Sequence, residues 1–550
     1  MNDDRLNIYD VVVLGSGLAG TVLATILARH NLRVLIIDKS SHPRFAIGEA
    51  VTTDTDLMLK ILSYQYSVPE IAHLSSFDNI CQNISPSSCG YKRSFNFVYH
   101  GETNGQLWRN YDLLGVFPTS HLYRQDTDQY MVKIAKKYGV RVLENTQIEA
   151  LKIDDEGVNI KIVDGDEFSA EFLIDASGYN SPLSQEFKLR DNPNKFKTQS
   201  RSIFTHMTGV EKYDDCFEEN DEFDSSLSWH QGTLHHVFEG GWMWVIPFDN
   251  HENSKNEICS VGVNFDTRKF PKTNESPEKE FQNLLSKFPN LAKQFKNATL
   301  AREWIGTNEL QYSSHSFAGN RFYALPHAGG FVDALFSFGL VNSFSINIGL
   351  VPRVLKAFKE RNFSTKYFKD IEKLQHKLFD YNDRLVNCAY ISFRNYDLWN
   401  AWRRIWIMGF CLRQFKAGIR KGLKIESGRG EELAKEAMAE DNINYLTPSY
   451  EGLGDNFFRR CEETVENFGD GLISAKDASD KLMSLIKTID FLPKNYMGLA
   501  NGSLRFLDTA SDFGKSEQWR LLSWAKTTTN EGVRKFFDYN TEDLLATFKK

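Results

Sequence analysis

The chain has no C-x-x-C pair among its seven cysteines and no histidine cluster at metal-ligand spacing. This excludes a disulfide framework and a zinc site, and no metal is expected. Charge of one sign is also scarce. A formal net charge of −7 over 550 residues argues against a nucleic-acid binder, whose binding domain is normally basic. No apolar run approaches the roughly 18–20 residues that span a bilayer, so no integral membrane segment is expected. The start, Met-Asn-Asp-Asp-Arg, lacks the basic and apolar regions of a signal peptide, which predicts a cytoplasmic location. Internal repeats and low-complexity tracts are absent too.

What is present is core material. The chain is 41% hydrophobic, with 41 phenylalanines, and exceeds the size at which one hydrophobic core stops growing, so two or more lobes are expected. Residues 8 to 14, Ile-Tyr-Asp-Val-Val-Val-Leu, read as a buried parallel strand. Gly15-Ser16-Gly17-Leu18-Ala19-Gly20 follows, then a helical run, then Arg33-Val-Leu-Ile-Ile-Asp38. Strand, glycines, helix and acid in this order form a dinucleotide-binding fingerprint. The glycines let backbone approach a pyrophosphate at a helix N-terminus, and Asp38 can accept from a ribose. The pattern alone leaves NAD and FAD both open.

Further on, Gly240-Gly241-Trp242-Met-Trp244-Val-Ile246-Pro247 places two tryptophans on one face of a strand that the proline stops or confines to an edge. By pattern alone such residues are core packing. Residues 212 to 225 are acidic and predict a solvated loop. Strand-like segments on either side of the tryptophan motif predict an antiparallel sheet, and Ser276 to Phe295 reads as a helix capped by Ser276. A strand, a glycine-rich turn and a helix start run from Arg321 to Gly339, an arrangement whose amides suit an anion or a flavin ring. From about 350 onward the periodicity is helical. There, Trp402 and Trp406 lie on an aromatic stripe that reads as core or pocket wall rather than as a membrane-surface helix. The expected fold is α/β: residues 1–350 form a Rossmann-like nucleotide-binding domain with an interleaved β-sheet substrate lobe (about 60–120 and 190–310), and 351–550 form a helical lobe.

Phe172-Leu-Ile-Asp175-Ala-Ser-Gly178 and Arg124-Gln-Asp-Thr-Asp128 resemble segments of the class A flavin monooxygenase superfamily, which favours FAD. Trp242-x-Trp244-x-Ile246-Pro247 resembles the W-x-W-x-I-P signature of flavin-dependent halogenases. Gly330-Phe-Val-Asp333-Ala-Leu-Phe336-Ser-Phe338-Gly339 and Pro43-Arg44-Phe-Ala-Ile47-Gly48-Glu49-Ala50 are similar to two further segments of that family. The resemblance implies that reduced FAD and O2 oxidise chloride or bromide to hypohalous acid, which halogenates an electron-rich aromatic in secondary metabolism. It implies a cofactor set of Gly15, Gly17, Leu18, Ala19, Gly20, Asp38, Lys39, Arg44, Ile47, Arg124, Asp175, Gly178, His327, Gly330 and Asp333. Halide would be held by the amides of Phe338 and Gly339, and Trp242 and Trp244 would keep substrate from the flavin. The oxidant-carrying lysine maps to Lys92 of Lys92-Arg-Ser94-Phe-Asn-Phe97, with Phe97 and Phe336 in the substrate pocket.

Three departures matter. Ser94 replaces a family glycine, Pro326-His327 replaces Gly-Asp beside the ribityl chain, and Phe336 stands where tryptophan halogenases carry a glutamate. The last favours a phenolic or pyrrolic substrate, free or tethered to a carrier protein, because such rings activate themselves. No second nucleotide fingerprint is present, which implies a separate NAD(P)H-dependent flavin reductase. An aromatic hydroxylase and a catalytically silent flavoprotein subunit are the alternative readings.

Overall fold

The run Ile8–Leu14 forms a fully paired inner strand, flanked in parallel by Val34–Ile37 and by Glu167–Asp175. The structure, a computed structural model, describes residues 7–84, 88–101, 106–113, 118–216, 228–436 and 443–547. These strands belong to an eight-stranded sheet that continues through Arg141–Leu143 on one side and Phe322–Ala324 on the other. The antiparallel pair Ile148–Ile153 and Val158–Ile162 hangs from Glu167–Asp175. Val11, Val12 and Val13 are fully buried, as expected for a strand covered on both faces. The glycine-rich turn leads into the helix Leu18–Arg29, so the nucleotide-binding fingerprint has the predicted strand-turn-helix form.

A second, nine-stranded sheet carries the tryptophan motif. Gly241–Pro247 lies in its middle, antiparallel to Gly232–Phe238 and to Cys259–Asp266. Pro247 therefore ends an inner strand and does not mark an edge. Ser94–His100 pairs in parallel with Gly232–Phe238 and antiparallel with Leu107–Leu113. Trp242, Trp244 and Ile246 share one buried cluster, whereas Met243 and Val245 belong to another on the opposite face. The alternation read from sequence holds.

The C-terminal region departs from an all-helical lobe. Phe506–Asp508 is a strand that adds in parallel to the edge at Leu107–Leu113. Its helices include Lys369–Ser392 and Tyr396–Ala417. In the latter, Trp399, Trp402 and Trp406 are at most 1% exposed, so the stripe is core wall. The helix Phe338–Glu360 is long and apolar enough to cross a bilayer by length and composition, against the expectation that no apolar run approaches that length. Its apolar window is 83% buried inside the protein, which makes it a core helix.

Two local expectations change. The helix predicted from Ser276 to Phe295 breaks into Pro277–Lys287 and Pro289–Ala292 because a proline interrupts the ladder at 289; Ser276 caps it as expected. In the acidic run, Tyr213–Cys216 is an ordered 3-10 turn, with Tyr213 buried. The Asp214 carboxylate accepts the backbone N–H groups of Trp229 and His230, both at 2.8 Å. That part is therefore structural, and residues 217–227 lie outside the described residues.

Candidate flavin and halide site

The glycine turn opens onto a cleft of about 860 Å³ lined by Gly15, Gly17, Leu18, Ala19, Gly20, Asp38, Lys39, Arg44, Ile47, Arg124, Gly178 and His327. Most of the predicted cofactor set thus converges on one cavity. Gly15 has φ +94°, and a Cβ there would lie 2.6 Å from the Ala176 carbonyl oxygen; a Cβ on Gly20 would lie 2.6 Å from the Gly15 carbonyl oxygen. These two glycines are needed to pack the turn. A Cβ on Gly17 would meet nothing within 4 Å, so Gly17 faces open space where a pyrophosphate fits. Arg44 Nε is buried without a protein acceptor, a donor that an acidic dinucleotide can satisfy. These residues fit FAD.

Several of these side chains also brace the protein's own backbone. Asp38 holds the turn: its Oδ2 accepts from Ser16 N at 2.7 Å and Ser16 Oγ at 2.6 Å, and its Oδ1 from Ser40 N at 2.9 Å. These hydrogen bonds and Arg44 hold its carboxyl below the usual range against the opposing effect of burial. Arg124 grips Asp128 with two hydrogen bonds, 2.7 and 2.9 Å, and donates to the Ile47 carbonyl at 2.8 Å. It braces the segment that borders the cleft. Asp175 is fully buried, accepts from Ser177, Ser181 and Leu183, and does not line the cleft. Its role is to shape the turn that carries Gly178. Gly330 and Asp333 also lie outside the lining.

His327, where the superfamily has an acid, is pulled down to about 4 by burial and then by the Arg124 charge. It is therefore a neutral donor and acceptor at ordinary pH. Its Nδ1 lies 3.4 Å from Ser343 Oγ, and a Cβ on Gly339 would approach its Nε2 to 3.0 Å. The cleft thus reaches the start of the helix Phe338–Glu360, whose Leu340 and Ser343 also line it. That start has Ser337 in the left-handed region (φ 56°) with no side-chain cap. The first amides of a helix have no intrahelical acceptor, so the N–H groups of Phe338 and Gly339 are available to an anion.

An aromatic cluster adjoins this helix start. Phe336 stacks on Trp406 at 4.9 Å and contacts Phe338 at 6.2 Å. Trp406 meets Phe95 edge-on at 5.2 Å and Phe97 at 5.9 Å, and His235 stacks on Phe97 at 4.7 Å. Lys92 Nζ sits 3.7 Å from the centre of the Phe95 ring and donates to the Val51 carbonyl at 2.8 Å. Lys92 is 1% exposed, so it is not the surface lysine that most strands carry. Burial pulls its amine down to about 7, and burial pushes the neighbouring Asp56 up to about 8. Asp56 lies one turn into the helix Thr53–Tyr66, and no motif in the sequence pointed to it.

Trp242 and Trp244 lie side by side, ring centres 5.7 Å apart, with Trp242 5.6 Å from His235. Trp244 Nε1 donates to Ser260 Oγ at 3.2 Å, and its ring occupies the space over Gly262. The pair joins the same buried cluster as Phe95, Phe97, Phe336 and Phe338. Neither indole lines the cleft.

Residues 8–261 match the FAD binding domain family. The chain is 38% identical over 548 residues to the monodechloroaminopyrrolnitrin halogenase PrnC of Pseudomonas fluorescens, covering 98% of this chain and 95% of that one. It is 42% identical over 556 residues to the tetracycline 7-halogenase of Kitasatospora aureofaciens, covering 98% and 97%. Among solved structures, halogenase PltM in complex with phloroglucinol and FAD superposes with a TM-score of 0.83 at 35% identity, over 91% of this chain and 99% of that one. The two sheets, the glycine-lined cleft and likeness across nearly the whole length agree: the chain belongs to the flavin-dependent halogenases, enzymes that use FAD, O2 and halide to halogenate aromatic substrates.

Proposed function

We propose that this enzyme halogenates a free phenolic or pyrrolic small molecule, using Lys92 to carry the oxidant to the ring. The observation that carries this reading is the setting of Lys92: a fully buried amine lowered to about 7, against an aromatic cluster that runs through Trp406 and Phe336 to the open amides of Phe338 and Gly339. Bound and reduced, FAD supplies the activation of O2 that oxidises the halide. The chain supplies the rest. Gly17 and the first amides of Leu18–Arg29 receive the pyrophosphate, His327 offers a neutral hydrogen-bonding ring to the ribityl chain, and the amides of Phe338 and Gly339 hold the halide with dipoles already oriented. Trp242 and Trp244 keep the organic substrate from the cofactor, so oxygen is not transferred to it directly. Lys92 holds the hypohalous acid by hydrogen bond or, as the neutral amine, forms an N–halogen bond as the O–halogen bond breaks and water leaves. The halogen then passes to the ring carbon, which gives up its proton, and the amine is regenerated.

Phe336, packed on Trp406, offers no carboxylate to polarise a substrate. The ring must therefore be activated by its own oxygen or nitrogen. The relatives named above carry small-molecule names, whereas the peptidyl-carrier-protein pyrrole brominase of Pseudoalteromonas luteoviolacea is 23% identical over 66% of the chain; this supports a free substrate. A separate NAD(P)H-dependent reductase in the cytoplasm would supply the reduced flavin. Purified protein with FAD, a reductase, NADH, O2 and bromide or chloride, offered phenols, resorcinols, pyrroles and indoles, is expected to give products with halogen isotope patterns. Oxygen gained without halide would point to a hydroxylase, and no product at all to a silent subunit. Lys92→Ala is expected to abolish halogenation while FAD binding and peroxide release persist; halogenation retained in that variant removes Lys92 from the reaction.

A further inference from the structure

Asp333 stands in the turn before the helix Phe338–Glu360, in a motif whose acid the family resemblance assigned to the cofactor. Its carboxylate is buried outside the cleft and is saturated by protein donors. Oδ1 accepts from Leu335 N at 2.9 Å. Oδ2 accepts from Ser200 Oγ at 2.9 Å, Asn264 Nδ2 at 3.2 Å and Tyr390 Oη at 3.0 Å. An ionised carboxylate is acceptor-only, so all four donors are matched and the direction of the Tyr390 hydroxyl is set: its proton points to Asp333. The phenol oxygen is then left with its lone pairs facing outward. Trp242 Nε1 donates to that oxygen at 3.1 Å.

The chain therefore runs Trp242 N–H to Tyr390 O–H to Asp333, every link between buried groups. It joins the tryptophan strand, the helix Lys369–Ser392 and the turn that ends in the Phe338 and Gly339 amides. We infer that Asp333 and Tyr390 are positioning residues for this halogenase: they fix the rotation of the Trp242 indole and couple it to the seat of the halide-facing turn. The inference rests on the reading of Trp242 and Trp244 as the partition between cofactor and substrate, and it assigns to one carboxylate the alignment of both the partition and the anion site. A loose indole would let oxidant escape or substrate reach the cofactor. The loss would appear in the yield of halogenated product per flavin oxidised rather than in flavin affinity.

The test uses the full-length FAD-loaded enzyme with its reductase, and Tyr390→Phe, which keeps the ring and removes only the hydroxyl. Indole N–H resonances of the 15N-labelled protein, ten tryptophans in all, are read beside product per flavin oxidised, FAD affinity and melting temperature. Trp242 is identified by the resonance lost in Trp242→Phe. In Tyr390→Phe that resonance is expected to move upfield as its hydrogen bond is lost, and the yield per flavin to fall about threefold or more with FAD affinity unchanged. Asp333→Asn, which sets an amide against the same donors, is expected to do the same. Because the residues act as one unit, Tyr390→Phe added to Trp242→Phe is expected to lower the yield by less than about twofold further. An unmoved Trp242 resonance in Tyr390→Phe overturns the inference, as does a moved resonance with unchanged yield, or a full second loss in the double variant. If Trp242→Phe alone leaves the yield untouched, the partition reading falls, and the resonance still decides whether Asp333 and Tyr390 hold the indole.

Discussion

Lys92 and Asp56 are the pair whose chemistry is set most by burial. The amine falls to about 7 and the carboxyl rises to about 8, each because the charged form is poorly solvated. The two groups interact and titrate as a pair. Halogenation is therefore expected to show a pH limb near the amine's value; because Asp56 is largely protonated below about 8, Asp56→Asn should leave that limb close to its place. Product formation against pH, with hypohalous acid release followed as a control, checks this; a limb displaced by about a unit or more would show that Asp56 is ionised beside Lys92. A second residue-level consequence concerns Gly262. A Cβ there would lie 2.1 Å from the Trp244 ring, and neither strand can yield because both are inner. Gly262→Ala is expected to cost about 1–3 kcal/mol of stability and to displace Trp244, seen as a lower denaturation midpoint together with altered tryptophan emission.

At the scale of one element, the turn Gly15–Gly20 separates folding from binding. Gly15 and Gly20 face backbone, whereas Gly17, extended at φ −70° and ψ 169°, faces the cleft. Gly17→Ala is expected to melt close to the parent protein yet bind FAD at least about tenfold more weakly, because a methyl group occupies the pyrophosphate's approach. Gly15→Ala should instead fail to fold, since its φ of +94° and the Ala176 carbonyl both exclude a side chain. Melting curves and FAD titration, run on both variants, distinguish the two effects. The fingerprint was legible because strand, glycines and helix are adjacent in sequence. That only one of its glycines meets open space was not, because the atoms that crowd the others belong partly to Ala176, far along the chain.

Across the whole molecule, the helix Tyr396–Ala417 is tied to the substrate sheet by a buried pair. Arg403 bridges Asp112 of the strand Leu107–Leu113, and the two are 1% and 0% exposed. Removing one member leaves a buried charge alone, so Arg403→Ala is expected to destabilise the fold by about 3–5 kcal/mol, read by denaturant unfolding, while Asp112→Asn with Arg403→Met should recover much of it. The same sheet edge receives Phe506–Asp508 from the C-terminal region, so the helical lobe and the sheet form one packed body. Nothing in the periodicity of residues 351 to 550 announced that strand, because three residues carry too short a pattern to read.

The sequence by itself determined the local units. The nucleotide-binding fingerprint, the two-faced tryptophan strand and the motifs that resemble flavin-dependent halogenases are each written in contiguous residues, where steric preference and side-chain period act over a few positions. It also pointed to Lys92, through a motif in the same short stretch. Only the tertiary structure decided what those units face. Asp333 is taken up by donors distant in sequence, Ser200, Asn264 and Tyr390, whereas Asp175 is held by its near neighbours Ser177, Ser181 and Leu183. Trp406 becomes the floor between Phe95 and Phe336 because the helix Tyr396–Ala417 lies on the sheet, and Asp56 meets Lys92 across an interior. Burial and hydrogen-bond saturation depend on which surfaces meet, and that is a property of the packed chain rather than of any segment of it.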